Sequence, residues 1–141
     1  MDSGNLILDD LKKLEYFLTE NIIYSGVTSG DIKQWTYPQT INYLNCSWLN
    51  EENRNGACLG FNTNINFVKD FLLEFYNCAQ TKECIFPDGS SRKNHRQDQA
   101  VFTILYYKFK NLYQFISYNN SNWKNQIGYS IHNDIEAHWD K

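Results

Sequence analysis

Six polar residues, Asn94-His95-Arg96-Gln97-Asp98-Gln99, run directly into Ala100-Val101-Phe102-Thr103-Ile104-Leu105-Tyr106-Tyr107, and no other stretch limits the fold of this chain so strongly. Apolar residues fall on nearly every face of the second segment, which predicts an enclosed helix whose polar N-terminus reaches the surface. The N–H groups and the positive dipole end at such a start favour anions, and Arg92, Lys93, His95 and Arg96 add cationic or neutral donors just upstream. Asp98 has two readings, a dipole-matching carboxylate in the first turn or a catalytic group.

The 141 residues suit one domain over 1–141, and an aromatic share of 16% argues for a packed core rather than a disordered tail. A net charge of -3 excludes a general nucleic-acid binder, which needs a basic surface to neutralise phosphates. No stretch approaches the roughly 20 apolar residues that span a bilayer. Met1-Asp2-Ser3-Gly4 has none of the basic and apolar character of a signal peptide, so the expectation is a soluble chain, cytoplasmic by default. Cys46, Cys58, Cys78 and Cys84 lack paired CxxC spacing; reduced, mostly buried thiols are the default reading, with three disulfide connectivities open. Asn45-Cys46-Ser47 and Asn119-Asn120-Ser121 match the N-glycosylation sequon in a chain where so many asparagines make chance matches common.

Along the chain, Asn5 to Leu8 reads as a strand end or turn, and Asp9-Asp10 starts a helix carried by Leu11, Leu14, Phe17 and Leu18 to about Glu20. Ile22-Ile23-Tyr24 is a short strand and Ser25 to Asp31 a loop. Trp35 sits in the loop before a helix that Pro38 opens, as a core plug or as a platform for a sugar or base. Trp48 to Asn55 reads as a polar connection, and Gly56 to Asn62 as a small-residue strand approached closely by a neighbour or ligand, with Asn62 at its end. Val68, Phe71, Leu72, Phe75, Tyr76 and Ala79 form a helical stripe, and Pro87-Asp88-Gly89 is a turn. Leu112 to Tyr118 alternates like a strand, and a polar loop and an irregular tail with His132 and His138 follow. This order predicts an α/β architecture with some parallel strands.

Ligands of open α/β sheets bind beyond the strand ends, which would gather Asp2, Asn62 and the Asn94–Gln99 cluster. Asp2 offers oxygen to a hard cation; Asn62, Asp98 and Gln99 suit hydroxyls. A Cys58 nucleophile with His95 as base competes with a plain buried thiol, and neither a P-loop nor a GxSxG elbow is present.

Four features in one order resemble the C-terminal half of a GT-A-fold nucleotide-sugar glycosyltransferase of the glycogenin-like class. Asp2-Ser3-Gly4 looks like a single-Asp variant of a DxD motif, with Gly4 in place of the second carboxylate. Trp35-Thr36 falls in the loop between two halves of an acceptor site, Asn55 to Asn62 is similar to the small-residue strand before a helix, and His95 to Gln99 resembles the acidic-Gln helix start that faces sugar. His132 is followed by Asn133-Asp134-Ile135 and does not match the His-x-x-Gly pattern of such relatives.

The resemblance implies a partial GT-A-like mixed sheet flanked by helices, lacking the N-terminal nucleotide-binding half, and transfer of a sugar from a nucleotide diphosphate to a hydroxyl acceptor. Asp98 and Gln99 would act on the reacting sugar, with Trp35, Asn62, His95 and Arg96 as binding contacts. Asp2 would hold manganese or magnesium on the diphosphate. Truncation would leave the chain inactive and expose a sheet edge to a partner chain. The alternative is a non-catalytic carbohydrate-binding or partner-completing remnant.

Overall fold

A computed structural model describes residues 5–7, 10–115 and 131–133, the first and last of these through their backbone pairing. The elements are β1 (Asn5–Ile7), α1 (Lys12–Asn21), β2 (Ile23–Tyr24), β3 (Val27–Asp31), α2 (Ile32–Trp35), α3 (Pro38–Tyr43), β4 (Glu52–Arg54), β5 (Gly60–Phe61), α4 (Asn66–Ala79), α5 (Lys82–Ile85), α6 (Asp98–Tyr113) and β6 (Ile131–Asn133).

The fold is mixed α and β, and the helices carry most of it. α6 is the axis of the core: from Ala100 to Tyr107 every residue is buried, as its unbroken apolar run requires. α4 packs against it through Phe71, whose ring centroid lies 5.6 Å from that of Phe102 and 5.3 Å from that of Phe109. A Lys108–Glu74 ion pair, each side chain 33% exposed, links the same two helices at their edge. The buried stripe of α4 is narrower than its spacing predicts, because Tyr76 and Ala79 face solvent while Cys78 turns inward.

Among the described residues the strands pair only as three two-stranded antiparallel sheets, β1 with β6, β2 with β5 and β3 with β4. The expectation of a mixed sheet with parallel strands is thereby corrected. The strands are two to five residues long, and none of these pairs is the parallel strand–crossover–strand unit. Ser25 to Asp31 is not all loop, since Val27–Asp31 is a strand, and the polar connection contains β4. The small-residue strand shrinks to Gly60–Phe61. The strand expected from Leu112 also gives way: α6 runs through Tyr113 and stops at Gln114, whose φ of 52° is left-handed, before Phe115 turns back into the core. Residues 116–118 lie outside the described residues.

The N-cap of α1 is Leu11, which makes no side-chain cap, so Asp10 stands one residue outside the helix and accepts from Lys12 N at 3.1 Å instead of capping it; Pro38 stands in the first turn of α3 as the sequence predicts. α1 packs on Tyr24 and Cys58 through Leu11, Leu14, Phe17 and Leu18, a small cluster beside the main core. The thiol expectation is corrected for two cysteines. Cys78 and Cys84 form a disulfide joining the end of α4 to α5, while Cys46 and Cys58 are free, and burial pushes both of these thiols up.

Candidate functional site

The polar start of α6 is held by contacts that sequence spacing alone does not display. Arg96 N donates to Trp35 O at 3.0 Å, and the Arg96 guanidinium lies 4.2 Å from the centre of the Trp35 ring. Trp35 is therefore the last residue of a short helix, half-buried, with its indole N–H donating to Ser29 O at 3.0 Å. Gly30, at φ 83°, leaves the space this indole fills, since a β-carbon there would collide with the ring. Cation–π attraction and a backbone hydrogen bond thus join two segments distant in sequence.

Asp98 opens α6 in the open. It is exposed, and its Oδ1 accepts from Gln99 N at 2.9 Å, a placement that matches the helix dipole. Gln99 turns the other way: its Nε2 donates to Arg54 O at 2.7 Å, and its Cβ lies 3.0 Å from where a β-carbon on Gly56 would stand. That bond uses one of the two amide N–H donors and ties the Gln99 side chain to the β4 backbone.

His95 departs from the expectation of a surface donor. The residue is 0% exposed, its Nδ1 accepts from Tyr37 N at 3.2 Å, and Nε2–H donates to Ile85 O at 2.9 Å. Those two bonds require the neutral ring. Burial lowers the His95 pKa, and the Ile85 carbonyl offsets part of that shift. A group with a depressed folded pKa binds its proton more readily in the unfolded chain, so its contribution is full above the unfolded value near ~6.5 and is lost as pH falls through the folded pKa. Denaturant unfolding at pH 7.5 and pH 5.0 is expected to show acid destabilisation in the wild-type chain that accrues below ~6.5, at no more than about 1.4 kcal/mol per pH unit. That increment shrinks in His95→Gln; an equal slope in both proteins would remove His95 as its source.

Asn62 stands at the end of β5 as predicted, but its contacts face elsewhere. Its Nδ2 donates to Leu18 O at 3.2 Å and its Oδ1 accepts from Asn64 N at 3.1 Å, so it joins α1 to the turn before α4. Asp2 lies outside the described residues, as does His138. Among the described residues, no group of three or more His, Cys, Asp or Glu side chains converges as metal ligands would.

Behind the α6 start lies a buried polar seam that the sequence reading missed. Arg54, 1% exposed, donates from Nε to Tyr107 Oη at 3.2 Å and from a terminal nitrogen to Ser25 O at 3.3 Å. Its guanidinium stacks 4.4 Å from the Tyr106 ring centre. Tyr107 Oη in turn donates to Glu52 O at 2.9 Å. Burial lifts the Tyr107 phenol to about 12 even though the Arg54 charge pulls it down. Thr103 Oγ1 accepts from Arg54 N at 3.1 Å and lies 2.7 Å from Gln99 O and 3.0 Å from Asn53 Oδ1, which compete for its one proton. Gln99, Thr103 and Tyr107, one helical turn apart, are the signal in the sequence: a polar stripe through an otherwise apolar helix.

The structure thus brings Trp35, His95, Arg96, Asp98 and Gln99 to one junction, with Trp35, Arg96 and Asp98 on its outer side and His95 and Gln99 bonded inward. No protein-family model, curated protein or solved structure matches this chain.

Proposed function

We propose that this chain is the sugar-handling part of a glycosyltransferase-like protein of the GT-A type, with the outer side of the α6 start facing sugar hydroxyls. The observation that carries the reading is the union of two distant segments, Trp35 with Arg96, two residues before the exposed Asp98 that opens α6. An indole face packs sugar C–H groups, a guanidinium donates to hydroxyls or to a diphosphate, and a carboxylate accepts a hydroxyl proton. In the transfer itself the acceptor oxygen bonds to the anomeric carbon while the bond from that carbon to the diphosphate breaks. Asp98 takes the acceptor's proton.

A second reading, a carbohydrate-binding remnant without catalysis, is favoured by one specific observation. His95, Gln99 and Asn62 are engaged with backbone groups, and Asp98 too accepts from the Gln99 amide as a first-turn carboxylate does.

Thermal-shift titration of the folded chain with nucleotide diphosphosugars and with bare sugars, each with and without manganese, separates the two. A donor at a hundredfold excess over Kd is expected to stabilise by about 2.7 kcal/mol, on the order of 10 °C in Tm for a domain this size. That shift should require manganese if the Asp2 segment supplies the ion, and should fall away in Asp98→Asn and Trp35→Ala. Stabilisation by bare sugar, indifferent to metal, moves the conclusion to the remnant. No shift with either ligand class sinks both readings.

A further inference from the structure

The turn that closes α3 holds a sequon in a geometry suited to a surface modification. Asn45 N donates to Asn42 O at 3.1 Å and Cys46 N to Ile41 O at 3.0 Å, so Asn45-Cys46-Ser47 is fixed at the helix end. Asn45 has a φ of 51°, a left-handed conformation that asparagine adopts more readily than most residues. The three residues alternate in direction: Asn45 and Ser47 are exposed, while Cys46 is half-buried against the main core. An oligosaccharide on Asn45 would project into solvent and displace no packed side chain.

A second, independent observation concerns the compartment. The Cys78–Cys84 disulfide is part of the core, since both residues are buried, and Thr40 of α3 reaches it by donating its hydroxyl to Cys84 O at 2.7 Å. Disulfides of this structural kind form and persist in secretory and extracellular environments and are rare where thiols are kept reduced. Sequons are also read in the secretory route, where an exposed asparagine is the acceptor. The remaining thiols, Cys46 and Cys58, are shielded rather than paired.

We infer that Asn45 is an N-glycosylation site, modified while the chain matures in an oxidising secretory compartment. The donor class is a polyprenyl-pyrophosphate oligosaccharide. The Asn45 amide nitrogen bonds to the anomeric carbon, the bond from that carbon to the pyrophosphate oxygen breaks, and the pyrophosphate leaves with the electron pair. One amide proton passes to the transferring enzyme. This inference stands on the turn and the disulfide and does not depend on the glycosyltransferase reading.

The test begins with the protein isolated from the cells that make it, alkylated without prior reduction and treated with peptide N-glycosidase in heavy-oxygen water. The enzyme turns a glycosylated asparagine into labelled aspartate, so peptide mass spectrometry reads Asn45 separately from Asn119. The expected result is label at Asn45 together with an oxidised Cys78–Cys84 pair. Label absent at Asn45, or Cys78 and Cys84 recovered alkylated, overturns the inference. In cells expressing the chain behind a cleavable secretory leader, one glycosidase-sensitive mobility step should vanish in Asn45→Asp, which keeps the turn conformation accessible. The step should vanish equally in Ser47→Ala, which leaves Asn45 untouched. Mobility is read in whole lysate, so neither variant has to fold for the result to count, and a number of glycosidase-sensitive steps that neither substitution lowers is equally fatal, a single remaining step being that of Asn119.

Discussion

Arg54→Ala is expected to lower the unfolding free energy by about 3 to 4 kcal/mol, a large fraction of the stability of a domain this size. Arg54 is among the largest fully buried side chains of the described residues, and its stem and guanidinium fill the space between β4 and the Tyr106 and Tyr107 rings. Alanine leaves that volume empty and removes the donor that meets the buried Ser25 carbonyl at 3.3 Å. The seam loses its centre. Arg54→Met separates volume from polarity, because methionine restores most of the packing and also removes the cost of burying a charge. Its expected loss is about 1 kcal/mol, and both values are read from the denaturant midpoint at constant m-value. If methionine is as damaging as alanine, the hydrogen bonds rather than the packing hold the seam. If neither variant loses stability, the buried placement of Arg54 is wrong.

Arg54 also marks where sequence reading stops. The two long helices were legible because each carries its own evidence: the spacing of Val68 and Phe71 in α4, and the unbroken apolar run of Ala100 to Tyr107 in α6. Glu51-Glu52-Asn53-Arg54-Asn55 carries no such sign. A polar strand is buried only because a polar helix stripe waits for it, and that complement lies some fifty residues away. Val27 to Asp31 reads as loop for the same reason, since Ser29 and Gly30 speak against a strand until β4 pairs with it.

Local alternation misled in the opposite direction at Leu112, where a helix end with two exposed apolar residues imitates a strand. In the candidate site, Trp35 reads from the sequence as a loop residue, a core plug or a stacking platform, and neither its contact with Arg96 nor the inward turn of His95 is visible there. A histidine between Asn94 and Arg96 looks solvated, and the Tyr37 amide and Ile85 carbonyl, both from other segments, make its burial tolerable. The disulfide was hidden too, since spacing leaves cysteine connectivity open.

Phe71→Ala is expected to cost about 3 to 5 kcal/mol, whereas Leu73→Ala, two residues along the same helix, should stay within about 0.5 kcal/mol. The contrast follows from which way α4 faces. Phe71 is 0% exposed and meets the rings of Phe61, Phe75, Phe102 and Phe109, with centroids between 5.3 and 6.4 Å away, while Leu73 is 58% exposed. Four rings at edge and tilted angles cannot close over the missing one without leaving their rotamers, so a cavity remains. Phe102→Ala removes a ring from the same cluster, and the double variant should lose less than the two single losses added, because the first truncation already strips contacts from the second. Urea unfolding of the four proteins measures this directly. Strict additivity of Phe71 and Phe102 would mean that α4 and α6 do not share one aromatic core. A Leu73→Ala loss as large as that of Phe71→Ala would mean that α4 is turned about its axis from the orientation described, which would also unseat Cys78 from its place beside α5.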